Sequence, residues 1–187
     1  MIKRVINIIL ALALGVLLLI GFTTTYTQNH SGGISAVCAN LTSEDEEYIR
    51  YKFGDCKTVE ELLVRVNNEI CTQYTYYKKP FYIQHFNFRE FVTEKKGLCF
   101  DFSCYLKCIV KTLYPSTDVF VCDVRVDAFN AHSYNFVVTS EKTYCVDLTD
   151  ALYDYTHGLE CTVYEDLVDL TFEEYAATYG EKIINLH

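Results

Sequence analysis

Lys96-Gly97-Leu98-Cys99-Phe100-Asp101-Phe102-Ser103 opens the most regular stretch of the chain. From Cys99 onward, Phe102, Ser103, Leu106, Ile109, Val110 and Leu113 recur at i, i+3, i+4 and i+7, and Pro115 closes the pattern. The spacing predicts a helix that begins at or beside Cys99 and offers one face for packing. A thiol in the first turn of a helix is placed for nucleophilic work. The unpaired N–H groups and the dipole of that turn favour the thiolate, which is the reactive form.

Upstream, Thr58-Val59-Glu60-Glu61 has the capping-box pattern, and Leu62, Leu63, Val66 and Ile70 follow at helical spacing, so a helix is expected over 58–74. Tyr76 to Phe86 is aromatic and irregular, with Pro80 inside it, and reads as a loop. A short helix is expected over 88–95, stopping at Gly97. Downstream, residues 119–126, 133–139 and 143–148 are rich in β-branched side chains and read as strands. The acidic, Tyr-rich end offers helical turns between Glu165 and Tyr179, with a second capping box at Thr171-Phe172-Glu173-Glu174. Helices first and an antiparallel sheet afterwards make the fold class α+β.

A nucleophilic thiol needs an imidazole within hydrogen-bond reach, and the imidazole needs a third group to orient it. His132 opens one predicted strand and Asp147 ends the next. Side chains alternate faces along a strand, so an even-numbered hairpin loop puts the two on one face. A loop of Ser140 and Glu141, or of residues 139–142, sets His132 opposite Thr149 and Asp147 opposite Tyr134, one diagonal apart. A loop of Thr139 and Ser140 opposes them directly. An odd-numbered loop would separate them. Tyr134, Phe136 and Val138 continue the His132 face as a stripe expected to receive the Cys99 helix.

The stretch 96–103 resembles the transglutaminase-like cysteine motif, G-x-C-x-D-[FY]-[AS]. Ala131-His132-Ser133-Tyr134-Asn135-Phe136-Val137-Val138 is similar to that family's H-[AS]-W-N-x-V block, with Tyr134 at the Trp position. Tyr144-Cys145-Val146-Asp147-Leu148-Thr149 is similar to its aromatic-x-x-D-P-T block, with Leu148 replacing Pro. Order and spacing agree as well, and the resemblance spans roughly residues 88–150. It implies a papain-like, transglutaminase-like core with helices packed on an antiparallel sheet and the nucleophile at a helix N-terminus. It assigns Cys99 as nucleophile, His132 as general base and acid, and Asp147 as the orienting carboxylate. The implied chemistry is acyl transfer from a protein or peptide amide through a Cys99 thioester, as a protease, amidase, deamidase or cross-linker. No cofactor or metal is implied. Gln84 or a neighbouring aromatic is left as the partner of the Cys99 N–H at an oxyanion.

Each residue also has a plainer reading. Cys99 could be half of a disulfide, His132 a satisfied histidine on a sheet, and Asp147 the cap of a turn. Asp101 suits the helix dipole, and His85 and His157 have no neighbouring pattern. The alternative function that follows is a disulfide-stabilised binding or cell-surface module without catalysis.

Lys3 and Arg4 precede an 18-residue apolar run over 5–22, broken among polar residues by Asn7 alone. That pattern predicts export, with the run either cleaved as a signal peptide or kept as a membrane anchor, and the remaining chain secreted or held outside the cytoplasm. Residues 1–34 are read as this segment plus a polar linker, and 35–187 as one transglutaminase-like domain with its core over about 58–153. The formal charge is −9, and residues 1–34 hold two cations and no acids, so the domain carries −11. Phosphate backbones would be repelled, which argues against nucleic acid as a partner. Nine cysteines in an exported chain favour disulfides, and the odd number leaves at least one thiol over. No C-x-x-C pair occurs, so ribbon-type zinc sites and thioredoxin-like redox motifs have no support.

Overall fold

The structure, a computed structural model, describes residues 40–77, 86–125, 131–159, 165–166 and 182–186. Its elements are α1 (Ser43–Phe53), α2 (Val59–Gln73), the two-residue strand β1 (Thr75–Tyr76), α3 (Phe88–Glu94), the matching strand β2 (Lys96–Gly97) and α4 (Cys99–Leu113). Then come β3 (Asp118–Arg125), β4 (Ala131–Val138), β5 (Thr143–Val146), α5 (Leu148–His157), β6 (Glu165–Asp166) and β7 (Lys182–Leu186). The larger sheet has the order β6-β5-β4-β3-β7 and is antiparallel at every pairing, while β1 and β2 pair in parallel. The architecture is α+β, as expected.

Helix α2 starts where the capping box lies. Thr58 Oγ1 accepts from the Glu61 N–H at 3.1 Å, and the Glu61 carboxylate accepts from the Lys57 N–H at 2.6 Å. Leu62, Leu63, Val66 and Ile70 form the buried stripe, which packs with Ile49 and Phe53 of α1, Phe88 and Phe91 of α3, and Phe102, Tyr105, Leu106 and Ile109 of α4. Helix α3 ends at Glu94, one residue short of the expected end, and its cap Lys95, with a φ of 52°, takes the left-handed conformation usually left to glycine.

Helix α4 departs from the expectation of a single packing face. Every residue from Cys99 to Leu106 is buried, because the α1–α3 layer covers one side and the sheet the other. One charged group buried inside this layer is Glu69. It accepts from the Lys52 ammonium and, at 3.1 Å, from the Tyr105 hydroxyl. Burial and the Glu69 charge hold the Tyr105 phenol well above its ordinary pKa.

The β4–β5 hairpin turns through residues 139–142 and pairs Val138 with Thr143 and Asn135 with Val146. This is the even-loop register that sets His132 and Asp147 one diagonal apart. The stripe of Tyr134 and Phe136 does not receive α4, contrary to expectation. Those side chains form a separate cluster with Cys122, Val124 and Cys145. The alternate positions face the helix instead. Asn135 Nδ2 donates to the Ser103 carbonyl at 3.1 Å, and Val137 joins the core around α4.

Helices α1 and α5 and strands β1, β2 and β7 go beyond what the spacing predicts; Tyr76, expected in a loop, lies in β1, and β5 stops at Val146 because α5 begins at Leu148. Glu165, expected to start helical turns, lies in a strand paired with Cys145. The second capping box falls outside the described residues, as do residues 1–34 and the apolar run within them. No helix among the described residues is long and apolar enough to cross a membrane. The disulfides expected from export are not found among the described residues, where Cys56 and Cys99 carry free thiols. Cys38 and Cys161 lie outside them.

Candidate active site

Cys99 is the first residue of α4, and its position depends on the two residues before the helix. Gly97 is held by the β1–β2 ladder, where Tyr76 is its partner and the Tyr77 N–H donates to the Gly97 carbonyl at 2.8 Å. A Cβ on Gly97 would lie 2.7 Å from the Phe91 ring and 2.8 Å from the Asp101 Cβ, so only glycine fits. The Leu98 N–H donates to Asp101 Oδ2 at 3.0 Å. Asp101, buried at the third helical position, thus locks the entry to the first turn, the structural role expected of it. Cys99 as a residue retains 8% exposure.

The structure brings Cys99, His132 and Asp147 together. His132 Nε2 lies 2.5 Å from Asp147 Oδ2, and the ring also interacts with the Cys99 sulfur. With Nε2 held by the carboxylate, Nδ1 is the nitrogen left for the sulfur. Burial of the ring disfavours its charge, but the hydrogen bonds and negative charges of Asp147 and Cys99 outweigh that and raise the imidazole pKa to about 10. That shift favours the imidazolium, held between a carboxylate and a sulfur. Asp147 also keeps the plainer role weighed for it. Its Oδ1 accepts from the N–H groups of Thr149 and Asp150, both at 3.0 Å, and so caps α5.

Tyr76 adds a fourth side chain that the sequence did not single out. Burial, its interaction with Cys99 and then the charges of Asp101 and Asp147 raise its pKa, which keeps it a proton donor. The clue in the sequence is positional: Tyr76 follows the end of α2 by three residues and falls where a strand can pair with Lys96-Gly97. Gln84 and His85 lie outside the described residues. His157 is exposed, stacks on Tyr153 with ring centroids 4.0 Å apart, and takes no part in the cluster. Among the described residues no group of three or more His, Cys, Asp or Glu side chains could hold a metal ion.

No family model matches the chain, and no curated protein matches it. Among solved structures, the chain is similar to a candidate cysteine protease from Cytophaga hutchinsonii, with a TM-score of 0.47 and 15% sequence identity. The alignment covers 77% of this chain and 49% of that one, so the chain spans about half the length of that protein.

Proposed function

We propose that the chain is a cysteine-dependent acyl-transfer enzyme of the transglutaminase-like kind, acting on amides in proteins or peptides. The observation that carries this reading is the His132–Asp147 hydrogen bond with Cys99 beside the ring, at the N-terminus of an enclosed helix. The Cys99 thiolate attacks the amide carbon, forming a C–S bond while the carbonyl π pair moves to oxygen. On collapse the C–N bond breaks, and the leaving amine takes a proton from the His132 imidazolium. Water then attacks the thioester as His132 takes its proton, the C–S bond breaks, and an acid is released with the thiolate restored. An amine in place of water would give a new amide. Asp147 keeps the ring oriented and stabilises its charge without taking the proton. The proposal includes export through residues 5–22, supported by the charges at Lys3 and Arg4.

Iodoacetamide labelling followed by peptide mapping tests the reading. Cys99 should be alkylated fastest near neutral pH, and His132→Ala should slow that reaction, since an imidazolium partner favours the thiolate. If the pH profiles of wild type and His132→Ala coincide, His132 does not activate Cys99. The non-catalytic module is then the better reading.

A further inference from the structure

Acyl transfer needs donors aimed at the oxygen that becomes negative when the thiolate attacks. One is available by position. The Cys99 N–H belongs to the first turn of α4, where amides have no partner within the helix. The other comes from an unexpected element. The β1–β2 ladder pairs Tyr76 with Gly97, two residues before the nucleophile, and so fixes the backbone of Tyr76 against the approach to Cys99. From there the residue interacts with the Cys99, Asp101 and Asp147 charges, while 49% of it stays exposed.

We infer that Tyr76 is a catalytic residue of the proposed reaction, its hydroxyl forming the oxyanion site together with the Cys99 N–H. The inference rests on the acyl-transfer reading and adds to it the group that bears the developing charge. In the resting enzyme the phenol donates to the sulfur. Once the C–S bond forms, the sulfur loses its charge, and the new oxyanion lies only two bonds away from it. The same O–H then turns from sulfur to oxygen with no movement of the strand. The proton stays on Tyr76 throughout, which agrees with a phenol held above its ordinary pKa by burial and by the neighbouring Cys99, Asp101 and Asp147 charges. When the intermediate collapses, the electron pair returns to re-form the carbonyl and the hydroxyl returns to neutral acceptors.

Two reactions at one thiol isolate this role. Alkylation by iodoacetamide displaces iodide and develops no oxyanion, whereas acylation by p-nitrophenyl acetate passes through one and releases p-nitrophenolate. The full chain is compared as wild type, Tyr76→Phe and Tyr77→Phe, at a pH where alkylation of Cys99 has reached its plateau. Tyr77, whose ring lies under the Lys96 ammonium, is the neighbouring control. Thermal unfolding verifies that both variants fold, which an isosteric change at a half-exposed ring permits. Tyr76→Phe should lower the acylation rate roughly 100-fold and the plateau alkylation rate by less than about 3-fold, with Tyr77→Phe like wild type. Equal acylation by Tyr76→Phe and wild type overturns the inference and leaves the acyl-transfer reading standing. So does an equal fall in both reactions, which would make Tyr76 a modulator of the thiol alone. A wild type that alkylates at Cys99 but never acylates overturns both.

Discussion

Asp147 shares its carboxylate between His132 and the backbone: Oδ2 lies 2.5 Å from His132 Nε2 while Oδ1 caps helix α5. The two functions can be separated by chemistry. Asn caps a helix as well as Asp does, whereas Ala removes a cap worth about 1 kcal/mol. Asp147→Asn should therefore keep the cap, lose stability only through the broken His132 pair, and still lose roughly 1,000-fold in turnover. Asp147→Ala should lose both. Chemical unfolding and a thioester-trapping assay on the same samples check this, and an active Asp147→Asn would remove Asp147 from the proposed mechanism.

The His132 ring should titrate near pH 10, far above its ordinary 6.5. Cys99→Ala and Asp147→Asn each remove a negative partner, so each should bring the midpoint down. Ring proton chemical shifts followed by NMR against pH give the answer. A midpoint left in place by both changes contradicts the pairing.

The same shift fixes a pH dependence of stability. A pKa raised in the folded state means that protonation favours folding. The contribution of His132 is complete below about pH 6.5 and disappears as pH rises through about 10. Urea unfolding of wild type and His132→Asn should thus give a stability difference that shrinks across this window. A difference that widens with pH would reverse the sign and refute the assignment.

Gly97→Ala is expected to cost about 1–3 kcal/mol through overpacking, because neither the buried Phe91 ring nor the Asp101 Cβ can withdraw. Since these neighbours also set the first turn of α4, Cys99 alkylation should slow along with the loss of stability. Calorimetry and labelling together test the point, and a stable variant with normal labelling would show that the close approach is not needed.

Glu69→Ala isolates the core from the site. It leaves the Lys52 ammonium and the Tyr105 hydroxyl without their carboxylate, for a loss of about 2–3 kcal/mol. The alkylation profile of Cys99 should not change at temperatures where the variant is folded. Denaturant midpoints and labelling rates settle both halves.

The sequence was most legible where one periodicity or one parity governed. Apolar spacing after Cys99 located α4 to within a residue at its start, and hairpin parity put His132 and Asp147 on one face. What failed depended on information that spacing does not hold. Helix α1 was hidden because its run of Ser43, Glu44, Asp45, Glu46 and Glu47 looks like a solvated acidic stretch, although Thr42 and Asp45 cap each other. Helix α5 was hidden behind Asp147, whose cap was weighed only as a turn. The sheet face chosen for α4 was wrong because Asn135, a polar residue, takes the helix-facing position by donating to the Ser103 and Phe120 carbonyls. Tyr76 could not be singled out by composition at all, since its proximity to Cys99 arises from a two-residue ladder.

That ladder also acts as a clasp. Thr75 and Tyr76 are tied to Lys96 and Gly97 at the base of everything the chain does between them. By holding Tyr76 against Gly97, it keeps Tyr76 and Cys99 in their relative places whatever the chain between the two strands becomes. Related chains with the same clasp should therefore vary least in the two short strands that close it.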